Sequence, residues 1–599
     1  MKKEAYQARI KIVDEKIQTL NKKLRQLETL RVIAFLTALG SLIIGTAWHE
    51  KIYFIGTLGC VIGFIALVHK HHQMNDKKKY ELAKRTVIED NVKRLDKGWL
   101  NFAENGSEFI NEDIPRIKDL DLLGKGSLFQ YLCTAHTPYG KKALADSLVY
   151  GIRNEEIKKR QAAIKELNEK AEFTLHLKTL SKLIGMEKNK VDIDGIRAFI
   201  DMMHKDNQTF GKVLKGLSLA LPFATFFSIV AILLRGESSL FAIIGSISIV
   251  MQIGLAVFYY GRHNEIFSTV LNFSRNIKAY KDFLIAVENE EFETPYLKSL
   301  KQMLCEDEGL KKGLETLYKL SEALHVRLNG VAYLTVSGLL MWDFHCKDAL
   351  DIWQKQYGTS VEKWLSVMGE MEALLSLGIL CEVKESYSYP EIEALTKPVF
   401  SFKALEHPLI QDAVANDLVL KDETCIITGS NMSGKTTFLR TIGINLALAY
   451  AGAPVLAKDF YAARMNICTS MRIQDDVNEG ISSFYAELLR IKGMIDQAPK
   501  KEPMLVLIDE IFKGTNSADR ILGAKETIKS LEKPWITIMV STHDFELCEI
   551  EESMGRKVFN YHFEEHYVQN KIRFDYKLKI GRCRTTNAQF LLKMVGIYK

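Results

Sequence analysis

The sequence predicts a multidomain chain: an α/β domain at the C-terminal end, an all-α helical core ahead of it, and two transmembrane helical hairpins set into that core. Three observations predict it. Four long segments carry no charged residue, the stretches between them are polar, helix-patterned and nearly free of proline, and from about residue 390 onward short apolar runs alternate with glycine turns. A chain of 599 residues exceeds what one hydrophobic core organises, so several domains are expected on length alone.

Residues 1–30 are polar and helical, with Ile10, Val13, Ile17, Leu20, Leu24 and Leu27 alternating steps of three and four, the spacing of a coiled-coil seam. That stripe fits self-association and packing on the same chain equally well. No short apolar stretch with a small-residue cleavage site occurs here, so a removable secretory signal is not expected. The first hairpin, residues 31–70, holds apolar spans 32–48 and 52–68 joined through Glu50 and Lys51; the second, 213–260, holds spans 216–234 and 240–260 joined by Arg235-Gly236-Glu237. Each span is near the ~20 residues a helix needs to cross a bilayer, whereas buried helices of soluble cores are usually shorter runs. Gly40, Gly45, Gly56 and Gly59 suit close packing of membrane helices. Lys22, Lys23, Arg25 and Arg31 before the first hairpin, and Lys70, Lys77, Lys78 and Lys79 after it, put those flanks on the cytoplasmic side. An even number of spans then returns the C-terminus there. The expectation is a multi-pass protein of the inner or plasma membrane with a cytoplasmic α/β domain.

Residues 71–212 and 261–392 form the two halves of the helical core, and 393–599 the α/β domain. Lys plus Arg number 80 against 74 Asp plus Glu, a net charge of +6 too mild to argue for nucleic acid. The run Lys158-Lys159-Arg160 has Glu155, Glu156, Glu166 and Glu169 close by, as on a solvated helix face. Nine scattered cysteines form no C-x-x-C pair and no zinc spacing, which points to reduced, mostly buried thiols.

Residues 424–428 are a β-prone run that feeds Gly429, Ser430, Asn431, Met432, Ser433, Gly434, Lys435, Thr436 and Thr437, a match to G-x-x-x-x-G-K-[ST] with a helix pattern straight after it. Such a P-loop lets backbone N–H groups wrap phosphate oxygens at a helix N-terminus, while Lys435 reaches the β- and γ-phosphates and Thr436 ligates Mg²⁺. Residues 504–508 are an unbroken apolar strand ending in Asp509 and Glu510. Asp509 is placed to hold Mg²⁺ through water, and Glu510 to orient or deprotonate the attacking water. A third strand, 535–540, leads to His543, placed to sense the γ-phosphate. ATP and Mg²⁺ are the expected ligands.

The stretch 428–457, TGSNMSGKTTFLRTIGINLALAYAGAPVLA, resembles the Walker A region of the MutS mismatch-repair family, with Asn431-Met432 typical of it. Other family motifs follow in order: Arg472-Ile473-Gln474-Asp475-Asp476, then Gly480 to Phe484 with Glu487, then Asp509-Glu510-Ile511, Gly514-Thr515 and His543. Glu406-His407-Pro408-Leu409 is similar to the family's entry into this domain, and Leu122-Leu123-Gly124, Thr137, Gly140, Leu144 and Arg160-Gln161 to the start of its helical core. The resemblance implies an ABC-type ATPase domain in which Ser482, opening a signature helix, reaches the γ-phosphate held by a partner, so that two copies dimerise through their ATPase domains. It also puts the adenine beside Ala413, Val414 and Asn416, where the family's stacking aromatic is absent, so that stacking is weaker here or comes from elsewhere.

Departures from the family limit what carries over. Heptads and a hairpin occupy the place of a mismatch-reading domain, Phe102-Ala103-Glu104 spells F-x-E by what is best read as chance, and residues 216–260 interrupt the core where the family carries its DNA clamp. Two readings follow. One is a membrane-anchored, mismatch-repair-like ATPase that binds DNA; the alternative is a membrane mechanochemical ATPase that no longer does. A transporter ATPase is disfavoured because no L-S-G-G-Q signature is present.

Overall fold

The computed structural model describes all residues except 1, 49–50, 187–192, 206–211, 236–238, 275–276, 306–308, 329, 331–332, 422, 473–482, 513–515, 553–557, 569–570 and 584–599. Helix α1 (Lys2–Trp48) lies along α2 (Lys51–Leu95) as an antiparallel pair. Its heptad face buries Val13 and Ile17 against Ile88 of α2, with Leu24 and Leu27 also buried. Tyr6 donates its hydroxyl to the Glu382 carbonyl at 3.2 Å, and Lys2 its ammonium to the Cys381 carbonyl at 3.0 Å. Of the two readings of that stripe, the described contacts are those of packing on the same chain.

At 47 and 45 residues these helices are each roughly 70 Å long. The divides expected at 30/31 and 70/71 therefore fall inside continuous helices, as 260/261 does inside α7 (Ser239–Ser274), the partner of α6 (Lys212–Arg235). A change of hydropathy does not end a helix, because the i to i−4 backbone bonds close whatever the side chains face. Among the described residues, five helical segments are long and apolar enough to cross a membrane by length and composition. Four carry the expected spans, and their most apolar windows are only 6%, 0%, 22% and 22% buried in the molecule. The most apolar window of the fifth, Ser360–Val383, is 89% buried.

That fifth segment contains α8 (Ser360–Leu377), the central helix of the body. It packs on α3 (Pro138–Tyr150), which starts cleanly because Thr137 caps it by accepting from the Gly140 N–H and Pro138 presets the first turn. Helices α4 (Asn154–Glu169) and α5 (Ala171–Met186) complete this layer. Lys158 and Lys159 are exposed as expected, but Arg160 is buried: its guanidinium donates to Ser147 Oγ at 2.9 Å and to the Ala451 carbonyl at 3.2 Å, and lies 2.9 Å from Glu370. The charge run hid this because Arg160 falls on the helix face of Ile157, Ala163 and Ile164, which is buried.

The C-terminal region is mixed α/β. One sheet runs β1 (Glu391–Glu393), β5 (Asp459–Ala463), β2 (Val399–Leu405), β3 (Asn416–Lys421). The second, six-stranded, runs β12 (Lys579–Ile580), β9 (Val558–His562), β4 (Thr424–Thr428), β8 (Ile536–Thr542), β7 (Met504–Asp509), β6 (Asn466–Ser470), all parallel but for the β12 edge. A hairpin of β10 (Glu565–Val568) and β11 (Lys571–Phe574) follows β9. β4 is buried along its whole length, as a central parallel strand must be. The pairs Thr428 with Thr542 and Asp509 with Ser541 bring the carboxyl ends of β4, β8 and β7 to one edge, where α/β sheets bind ligands. All nine cysteines are free.

Candidate active site

Strand β4 runs directly into the loop 429–434 and then helix α9 (Lys435–Tyr450). Gly429 and Gly434 hold φ of 152° and 108°, and a side chain at Gly429 would strike the Phe563 carbonyl at 2.8 Å, so glycine is required at this turn. Lys435 is buried and its ammonium donates to the carbonyls of Gly429 at 2.7 Å and Ser430 at 3.0 Å. Thr436 donates its hydroxyl to Asp509 Oδ2 at 2.7 Å, while Ser541 donates to the other Asp509 oxygen. The P-loop and the strand-end carboxylate, 73 residues apart, thus meet directly.

Glu510 sits at φ 53° with its N–H held by the Ser541 carbonyl at 3.0 Å, and its Oε1 lies 3.0 Å from His543 Nε2. That same ring nitrogen is 3.4 Å from the Lys435 ammonium. One nitrogen cannot both donate to Glu510 and accept from Lys435, so His543 has two exclusive proton arrangements at this spot. Strain collects here too: the non-glycine residues Met432, Glu510, Phe512 and Tyr576 all have positive φ.

The cavity in front of the loop has a volume of about 490 Å³, within the range of small-molecule sites. Val414, Ala413 and Asn416 form one wall; Ser430, Asn431, Met432, Ser433, Gly434, Lys435, Thr436, Thr437 and Glu510 the other. Gly429, Asp509 and His543 are not among the lining residues; Asp509 bonds Thr436 and His543 lies beside Glu510, both of which are. Ser433 Oγ is buried with no partner among the described atoms, a feature that fits a phosphate chain. Among the described residues no cluster of three metal-binding side chains is preformed, and Thr436 with Asp509 is the pair that could share Mg²⁺. Ser482 lies outside the described residues, as do Gln474, Gly480 and Gly514-Thr515.

Sequence reading missed Tyr576 and Glu565 at this site, and named Glu487 only through the family resemblance. Tyr576, half exposed, is an aromatic on the cavity wall; its carbonyl accepts from Asn416 at 3.0 Å, tying it to the strand whose expected aromatic is absent. Glu565 accepts from Ser430 Oγ at 2.6 Å. Glu487, on α10 (Ser483–Gln497), is buried and accepts from the Phe512 N–H at 2.6 Å, fixing the backbone just after Glu510. His407 lines the cavity, and burial, helped by the charges of Arg440 and Lys384, lowers its pKa to about 4. The F-x-E residues are committed elsewhere: Arg94 stacks on Phe102 at 5.0 Å and Lys141 pairs with Glu104.

Residues 425–597 match the family MutS domain V. The chain is 30% identical over 240 residues to the DNA mismatch repair protein MutS of Aquifex pyrophilus, covering 39% of this chain and 27% of that protein. It is 30% identical over 207 residues to the DNA mismatch repair protein MutS of Desulforamulus reducens, covering 32% and 23%. The chain therefore spans about a quarter of the length of these curated relatives, and its similarity to the MutS family lies in its C-terminal region.

Proposed function

We propose that this MutS-related chain is a Mg²⁺-dependent ATPase fixed in a membrane by four helices, in which ATP binding joins two copies through their α/β heads and hydrolysis separates them, moving the helical body. The observation that carries the reading is the convergence of Lys435, Thr436, Asp509, Glu510 and His543 on one cavity edge. The loop N–H groups and Lys435 hold the phosphates, and Thr436 and Asp509 hold Mg²⁺, which when bound neutralises charge on the phosphate oxygens. Glu510 orients the attacking water and takes its proton; His543, by choosing Lys435 or Glu510 as its neighbour, reports the γ-phosphate to the base.

Dimerisation is supported by apolar side chains left in water around the site. Met432, at the tip of the loop, is 86% exposed, and Tyr485 and Leu489 are exposed on α10. Large apolar groups at a polar loop are what a partner surface covers. Membrane attachment is supported by the exposed apolar windows of α1, α2, α6 and α7, a far larger apolar surface than a soluble monomer tolerates. The Glu510→Gln protein in nanodiscs, measured by mass photometry, is expected to dimerise with ATP and not with ADP. A monomer at saturating ATP would sink the composite site.

A DNA-directed cycle is the second reading, favoured by the relatives, both of which are DNA mismatch repair proteins. The burial of Arg160 and the pairing of Glu104 weigh against it by removing two features that could have met DNA. ATPase rates with homoduplex, mismatched and branched DNA at low and moderate salt separate the two: stimulation by one structure supports the DNA reading, and indifference to all supports a DNA-free machine.

A further inference from the structure

The helical body sends one short turn, Asp119-Leu120-Asp121, into the α/β head, and three head elements close on it. Asp119 is 0% exposed. Its Oδ2 accepts from Thr469 Oγ1 at 2.7 Å and the Met471 N–H at 3.2 Å, its Oδ1 accepts from the Arg472 N–H at 3.0 Å, and the Arg490 guanidinium lies 3.3 Å away. Asp121 pairs with the Arg472 guanidinium at 3.0 Å and with Arg440 at 3.5 Å. Between them Leu120 is buried on α9, so closely that a side chain at Gly443 would come within 2.5 Å of it. A carboxylate this deep is stable only while its donors stay in place, so the turn and the three elements move together.

Those elements are the ones the site depends on. Arg440 and Gly443 belong to the helix that begins at Lys435; Thr469 is in the strand beside the one carrying Asp509, and Met471 and Arg472 directly follow that strand; Arg490 is on α10, whose Glu487 holds the backbone after Glu510. α10 is therefore fastened on one side to the catalytic strand and on the other to the body.

We infer that the Asp119-Leu120-Asp121 turn is the mechanical joint between body and head, with Asp119 and Arg490 as positioning residues that set α10 against Glu510. This rests on the ATPase reading above. It makes the position of the body, and of the membrane helices that continue it, an input to the rate of hydrolysis rather than to nucleotide affinity.

The test uses the full chain in nanodiscs with Asp119→Asn, Arg490→Gln and the double variant. Arg490 is partly exposed, so its substitution keeps the question open if Asp119→Asn does not fold. Each single variant is expected to lower kcat by about tenfold or more while the Kd of a fluorescent ATP analogue changes less than about twofold, and the double variant to be no slower than the slower single one. Full wild-type kcat in Arg490→Gln, multiplying effects in the double variant, or losses confined to nucleotide affinity would overturn the joint and leave the ATPase reading standing. A wild-type protein that neither binds nor hydrolyses ATP would remove that reading, and the inference with it.

Discussion

Two glutamates stand in this molecule on opposite terms. Glu372, in the middle of α8, is 0% exposed and saturated: its two oxygens accept from the N–H groups of His136 and Thr137 and from the hydroxyls of Thr137 and Ser181. Glu510, at the end of β7, faces the cavity from a strained backbone and meets a histidine nitrogen that Lys435 also approaches. The first is a fastening; every partner is fixed and comes from the body itself. The second keeps a partner that can be exchanged, which suits the proposed role of proton acceptor. Burial raises the pKa of Glu372 despite four donors, which shows how completely it has been withdrawn from water.

The comparison breaks most visibly at Glu510. Glu510→Gln is expected to lower kcat by about 10²- to 10⁴-fold with little change in nucleotide Kd and none in thermal stability, because the amide keeps the shape and loses only the base. Glu372→Ala should do the reverse. Leaving two buried N–H groups and two hydroxyls without their acceptor costs about 3–5 kcal/mol, read by denaturant or thermal unfolding of the detergent-solubilised protein, while the folded fraction turns over at the wild-type rate. A variant of Glu372 that lost activity without losing stability would erase the distinction.

A third, smaller effect lies at His407, buried on the cavity wall. Its folded pKa is about 4 against 6.5 for the free group, so the unfolded chain binds the extra proton throughout that window. The sign follows: this contribution is present above pH 6.5 and is lost as pH falls toward 4, by about 3 kcal/mol at most. His407→Gln should flatten the acid side of the stability profile between those values. An unchanged profile would mean that His407 is protonated in the folded protein or that other groups set the slope.

What the sequence could and could not disclose follows from the range of each signal. The P-loop, the Asp509-Glu510 pair and the strand–loop–helix order are local: each depends on residues adjacent in the chain, and in the structure Lys435 bonds the loop carbonyl of Gly429 while Thr436 bonds Asp509. Apolar length was legible for the same reason, but its meaning was not. Segment 360–383 passes the same length and hydropathy test as the four exposed spans and is a core helix instead, because Glu372, Glu370 and Glu382 sit along it and take partners from the body. The joint at Asp119 was invisible, since its partners lie some 350 residues away and nothing in a lone aspartate after a short helical turn announces them.

Tyr576 is the case where sequence reasoning located a gap and only the fold could fill it. The segment 413–416 brings no aromatic to the cavity, yet Asn416 reaches across to bond the carbonyl of Tyr576 and, through its Oδ1, the N–H of Leu578 at 2.8 Å. The ring thereby stands against Gly434 at the mouth of the loop, half exposed, whereas Phe438 and Phe563 on the same wall are buried. If the cavity holds the proposed nucleotide, this exposed aromatic face offers stacking worth about 1–2 kcal/mol. Tyr576→Ala is therefore expected to weaken ATP binding by roughly 5- to 30-fold with kcat at saturation unchanged, and Tyr576→Phe to restore it. The same variants separate base from phosphate recognition. If the ring stacks on the base, Tyr576→Ala loses affinity for ATP and GTP alike but not for inorganic triphosphate; equal losses for triphosphate would assign the ring to shaping Gly434 and the loop.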